Sequence, residues 1–282
     1  MLRHRGNPVA SGSCVMRKYW VVFTVALSER LVYRTDFFVA TFLRFIPIIT
    51  TILLWDAIYR GADIDRIGDL SYGQLVGYYL LVMVSRAFGS MPGLASGIAA
   101  DIRNGELRKY LLQPIDYLGY LITLRAAHKL IYFVMAATPY AIVFYLCRQY
   151  MPGWPSLMQF GWMLVTLVLA FLIGYAMHSL IGLVGFWFLE VGSLMSLLMS
   201  AQYFLSGHMF PLSLLPDWIR GIVYALPFAY ETYFPTLILL QKVDQAEAAR
   251  IVGIQLIWVI ALLIISRLVW RQGLKRYAAF GG

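Results

Sequence analysis

Residues able to do chemistry are sparse in this chain, and their spacing matches no familiar catalytic site. None of the four histidines starts an H-E-x-x-H pair, the helical arrangement that places two imidazoles on one zinc ion. No G-x-S-x-G turn presents a serine nucleophile. Asp63 and Asp65 share a short loop without the spacing of a paired-carboxylate metal site, so no metal ligands are assigned. The phosphate-cradling G-x-x-x-x-G-K-[ST] is missing, as is any Gly-Lys pair, and the chain has no route of that kind to ATP. Cys14 and Cys147 are too few and too scattered for a disulfide framework or a thiolate site. His128 and His178 fall near the ends of apolar runs, where a haem ligand or an interfacial imidazole would each fit.

Three charges stand where charge is costly. Arg44, Arg86 and Glu190 fall in stretches that read as membrane spans, where an unpaired ion is expensive and must face protein or water. Arg86 lies near the middle of the second span, and Glu190 lies about 13 Å into the fifth at 1.5 Å per residue. The two are expected to approach each other, within or between subunits; separate snorkelling is the alternative. Arg44 is nearer the inner end of its span and is expected to snorkel toward the headgroups.

The elements that position these charges follow from composition. The chain is 61% hydrophobic and 13% charged, with a mean hydropathy of +0.71, which a soluble domain of this length could not bury. Backbone groups in lipid must be satisfied internally, and the apolar runs lack period-two alternation. The expected fold is therefore all-α and polytopic, with six transmembrane helices. Residues 1–16 are expected to form a disordered cytoplasmic extension and 17–282 a single transmembrane domain. Within it, 17–34 reads as an interfacial helix, with Arg17, Thr24 and Ser28 on one stripe and Trp20, Phe23, Leu27 and Leu31 on the other.

The spans are expected at 37–58, 73–98, 119–146, from 157 to a turn near His178 and Ser179, 181–205 and 251–269. Basic residues cluster before the first span, around 103–129 and after the last. The positive-inside rule then puts both termini and the 100–116 loop in the cytoplasm of a bacterial inner membrane. The net charge of +9 is spent on that orientation, so no nucleic-acid partner is expected; membrane lipids are.

Two segments between the spans carry mechanism. In 100–116, Leu107, Tyr110 and Leu111 share one helical face beside Arg108 and Lys109, and Pro114 ends the helix. Such an element suits docking into a groove of a soluble partner. In 206–235, Pro211, Pro216, Pro227 and Pro235 cut an apolar sequence into pieces too short to cross, so outer re-entrant helices are expected. Irregular backbone at membrane depth has to be buried in protein or line a cavity.

Together these segments resemble the type-2 ATP-binding-cassette exporter permeases. Gly207, Phe210, Pro211, Leu215, Pro216, Trp218, Leu226 and Pro227 follow the family's outer signature, and Arg103, Gly105, Leu107, Leu111, Leu112 and Pro114 follow its coupling helix. Asp101 stands near where many members have a Glu. The resemblance covers the chain from Arg17 and is closest to a branch whose permeases are often encoded in pairs. It implies a transport subunit that is not itself an enzyme and works with two cytoplasmic ABC ATPase subunits. It also implies a second permease subunit, giving a homodimer or a related heterodimer. The chain itself would carry no cofactor, with ATP and Mg bound by the partner ATPase. Arg103, Gly105, Leu107, Tyr110, Leu111 and Pro114 would take the ATPase stroke, and Gly207, Phe210, Pro211, Pro216, Trp218 and Pro227 would form the outer gate. An ATP-independent secondary transporter or channel, and an intramembrane enzyme, are the readings from other classes.

Overall fold

The computed structural model describes residues 8–31, 43, 45–67, 70–188 and 190–280. About 81% of it is helical, and among the described residues the strands are a single two-stranded ribbon pairing Arg66–Ile67 (β1) with Leu70–Ser71 (β2), so the all-α expectation holds. The helices are α1 (Pro8–Leu31), α2 (Ile46–Gly61), α3 (Tyr72–Gly89), α4 (Leu94–Arg103), α5 (Leu107–Leu111), α6 (Tyr117–Leu146), α7 (Leu157–Leu183), α8 (Gly192–Leu205), α9 (Asp217–Ala225), α10 (Pro227–Glu231), α11 (Tyr233–Leu239) and α12 (Gln245–Phe280).

By length and composition α6, α7 and α12 can each cross a membrane, and the bent pair of α9 with α10–α11 makes a fourth crossing if it counts as one span. At 14 residues, α8 is about 21 Å long, short of a hydrocarbon core of about 30 Å. The chain is thus a multi-pass membrane protein.

Two compact units are formed, Met1–Phe45 with Glu106–Val143, and Ile46–Gly105 with Phe144–Gly282. In the first, Asp116 starts α6 by accepting the Gly119 amide at 2.6 Å, which satisfies one of the free N–H groups of the first turn. Lys18 on α1 donates to the Pro114 carbonyl at 3.3 Å, and Gly119 lies so close to the Tyr19 ring that a Cβ there would stand 2.9 Å from its hydroxyl. The helix α1 is therefore braced on the turn that opens α6. It begins at Pro8, inside the stretch expected as an extension, and residues 32–34 of the expected interfacial helix lie outside the described residues.

The second unit is built around α7. Both α3 and α7 open on capping boxes: Ser71 Oγ accepts from the Gln74 amide while Gln74 Oε1 accepts from the Ser71 amide, and Ser156 and Gln159 do the same for α7. The helix α7 packs against α12, α3 and α4, and glycines set those distances. A Cβ at Gly174 would collide with the Gly89 carbonyl of α3, and one at Gly182 would stand 2.9 Å from the Ala95 carbonyl of α4. Apolar contact offers no net drive inside lipid, so helices associate through this kind of close backbone approach.

Four expectations change. The helix α7 runs unbroken through His178 and Ser179, and the turn comes after Phe186. No residue at 178–179 interrupts the helix: His178 Nδ1 is bonded to the Gly174 carbonyl one turn back at 2.9 Å, so its polarity is absorbed locally. Glu190 accordingly lies in the connection before α8 and not within a span; it is exposed and accepts the Gly192 amide at 2.5 Å. The second span does not continue to residue 98, because α3 ends at Gly89. Pro92 has no amide to donate, and Gly93 takes φ +71° before α4 starts anew. The 100–116 stretch is not one helix either, as Gly105 at φ +74° separates α4 from α5.

The glycine seam predicts an asymmetric response on α7. Gly174→Val should lower stability by about 3 kcal/mol through overpacking, whereas Gly161→Ala, with nothing within 4 Å of its Cβ, should leave it unchanged or raised. Thermal unfolding in detergent, read side by side for the two variants, checks this.

Candidate functional site

The 206–235 segment is broken where its prolines and glycine direct. Gly207 adopts φ +79°, Pro216 precedes α9, and Pro227 opens α10. Between α10 and α11, Thr232 at φ −134°, ψ −53° interrupts the helical path again. The axis turns by 69° from α9 to Pro227–Leu239. Each break frees backbone carbonyls that a continuous helix would have satisfied, and an unpaired carbonyl in an apolar interior costs about 1–3 kcal/mol.

Side chains from the surrounding helices accept that cost. The Tyr78 hydroxyl of α3 donates to the Gly207 carbonyl at 2.5 Å, and the Tyr79 hydroxyl donates to Met209 at 2.8 Å. Tyr79 is oriented in turn by the Trp55 indole of α2, which donates to its oxygen at 2.8 Å. From α12, Gln255 Nε2 donates to the Tyr230 carbonyl at 2.8 Å and to the Thr166 carbonyl at 3.2 Å, while its Oε1 accepts the Thr166 hydroxyl at 2.8 Å. Gln255 is fully buried. Thr236 donates to the Thr232 carbonyl at 2.7 Å and shares a 3.0 Å hydrogen bond with Ser85 of α3. Rings fill the spaces between these bonds, with Tyr224 stacked on Tyr233 and Tyr230 on Phe234.

The expected gate residues divide between interior and surface. Gly207, Pro211 and Pro227 are buried and Phe210 is partly so, whereas Pro216 is exposed and Trp218 is 73% exposed. A Cβ at Gly207 would stand 2.7 Å from the Tyr78 hydroxyl, so glycine is needed there both for its φ and for the approach of that tyrosine. In the 100–116 stretch, Leu107 is fully buried and Tyr110 packs against the Tyr117 and Tyr120 rings at 5.0 and 5.2 Å. Leu111 and Leu112 point the other way, 46% and 86% exposed. Lys109 pairs with Glu106 at 2.6 Å, and Arg103, Arg108 and Pro114 are exposed.

The structure does not bring Arg86 to Glu190. Arg86 is exposed on α3 and its charge reaches His208, whereas Glu190 is taken up by the Gly192 amide. Arg44 lies outside the described residues. The polar residues that do meet in the interior are others: Glu231, Gln202, Gln255, Thr166, Ser85 and Thr236. Their signal in the sequence was the placement of neutral polar side chains, and one carboxylate, within otherwise apolar runs.

The sequence model of one family, described as "ABC-2 family transporter protein", matches residues 45–281. That range takes in both the 100–116 stretch and the broken segment, and it bears out the resemblance drawn from their motifs. No curated protein matches the chain.

Removing the partners of the freed carbonyls should destabilise the protein without touching its apolar packing. Gln255→Leu should cost about 2–3 kcal/mol and Tyr78→Phe about 1 kcal/mol, the usual range for a buried bond lost on one side. Chemical denaturation of the solubilised chain, followed by tryptophan fluorescence, measures both.

Proposed function

The chain belongs to the ABC-2 transporter family and is a membrane permease of an ABC transporter, and we propose that it works as an exporter subunit driven by ATPases on separate chains. In this reading six spans cross a bacterial inner membrane with both termini in the cytoplasm, and two permease subunits, identical or related, enclose the pathway. Two cytoplasmic ABC ATPases bind ATP and Mg and press on 100–116 as they close. The stroke reaches the 206–235 segment, which opens as the outer gate.

The observation that carries this is the exposed leucine pair of the 100–116 stretch. Leu112 is 86% exposed and Arg108 and Lys109 are exposed in the same short stretch, whereas Leu107 and Tyr110 anchor it on the protein. An apolar knob close in sequence to two cations and rooted by a buried residue is suited to seat in an acidic-rimmed groove of a soluble partner. Gly105 at φ +74° supports the same role, since a hinge between α4 and α5 lets a push on α5 be taken up by a change of angle. For the gate, support comes from the 69° break, whose carbonyls are held by side chains that can exchange partners.

The test is association and coupling. Chain purified from its native membranes should carry an ABC ATPase with it, and Leu112→Asp should reduce that association at least tenfold, as loss of an interface anchor does. Transport by the purified chain alone, with no ATPase present, would instead establish the secondary-transporter reading.

A further inference from the structure

The end of α4 that leads into the Gly105 hinge rests on two other helices through a chain of close approaches. The tightened turn Val184–Phe186 prolongs α7. A Cβ at Gly182 would stand 2.7 Å from Ile98 Cβ, and one at Gly185 would stand 3.2 Å from Ala99 Cα and 3.5 Å from the Ile102 side chain. The last turns of α4 therefore lie directly on the end of α7, with Ile98 and Ile102 buried.

The same turn is held by α12. A Cβ at Gly273 would fall 2.1 Å from Cδ2 and 2.6 Å from Cγ of Phe186, so the phenylalanine ring occupies the notch that a missing side chain leaves in α12. Trp270 and Tyr277, one turn before and one turn after on the same helical face, close on that ring edge to face at 5.8 and 6.2 Å. Phe186 and Trp270 are buried. The Tyr277 hydroxyl lies 3.8 Å from where a Gly105 Cβ would stand, and it has no hydrogen-bond partner among the described residues. Apolar helix faces slide past one another at little cost in lipid. A ring seated in a notch between two larger side chains does not, because sliding drives it against them.

We propose that Phe186 is a positioning residue for coupling: seated at Gly273, it fixes the end of α4 to α7 and α12 together, so that a push arriving beyond Gly105 bends the chain at that glycine and is carried by all three helices. This rests on reading 100–116 as the element that the ATPase presses. The seat itself is a property of the chain alone and is measurable without cargo or partner.

Arg103 supplies the readout. It is the exposed last residue of α4, next to Ile102, which is packed on Gly185. Trypsin can cut after Arg103 only when that turn unwinds and Ile102 leaves Gly185, and the rate of cutting then follows the population of the parted form. Arg66 and Arg148, exposed in the α2–α3 and α6–α7 connections, report general loosening. The full chain in detergent is digested briefly, and the fragments ending at each of the three arginines are quantified by mass spectrometry.

Gly273→Ala and Phe186→Ala should each speed cutting at Arg103 about tenfold, the first by overpacking and the second by loss of the ring, with Arg66 and Arg148 within about twofold of the parent. In the Phe186→Ala background, Gly273→Ala should add nothing beyond about twofold, because the ring that its methyl would strike is gone. Tyr277→Phe, which gives up a hydroxyl without a partner, should also stay within about twofold.

An equal rise at all three sites would be ordinary destabilisation and would overturn the seat, as would a Gly273→Ala effect that persists undiminished without the ring. If Phe186→Ala does not accumulate, Gly273→Ala decides by itself, and an unchanged rate at Arg103 rejects the proposal. Should the seat behave as expected while ATP and the co-purified ATPase leave cutting of the parent at Arg103 unaltered, the reading of 100–116 as the pressed element fails and the seating of Phe186 stands.

Discussion

A backbone carbonyl without a donor cannot be left in hydrocarbon, and the second unit is organised around that constraint. Four prolines and a left-handed glycine break the 206–235 segment, so its carbonyls at Gly207, Met209 and Tyr230 must be satisfied from the side. Tyr78, Tyr79 and Gln255 do so, Thr236 adds a side-chain bond to the Thr232 carbonyl that already accepts its amide, and each is held in place by a further bond or ring. Trp55 orients Tyr79, Thr166 orients Gln255, and Ser85 meets Thr236. The elements that frame the segment, α2, α3, α7 and α12, are therefore tied to it by directional contacts, whereas most of their other packing is apolar and permissive.

Glycine determines where those contacts can form. Gly89 and Gly174 let α3 and α7 meet backbone to backbone, which lowers the floor on which Glu231 sits, and Gly182 does the same between α7 and α4. Close approach and polar bonding reinforce each other here. Short distances between helices bring Ser85 within reach of Thr236.

The 100–116 stretch follows a different logic. Its left-handed Gly105 separates two short helices, and its apolar residues are split between anchor and surface, with Leu107 inside and Leu112 outside. The apolar residues of this stretch are thus divided between a face packed on the protein and a face turned away from it.

The sequence alone determined the class and the order of the chain. Hydropathy required helices in a membrane, proline spacing located the broken segment, and the motifs around Gly105 and Gly207 pointed to the ABC-2 family, because each of these depends on residue type and on neighbours close in sequence. The charge pair and the turn near His178 were beyond it. A histidine bonded to its own helix at Gly174 leaves no mark in the sequence that distinguishes it from a turn residue, and once α7 extends to Leu183, Glu190 moves out of the fifth span. The buried polar set was equally hidden. Gln202 and Glu231 are 29 residues apart, Ser85 and Thr236 are 151 apart, and only tertiary packing decides which distant polar side chains share a dry interior and must therefore bond to each other.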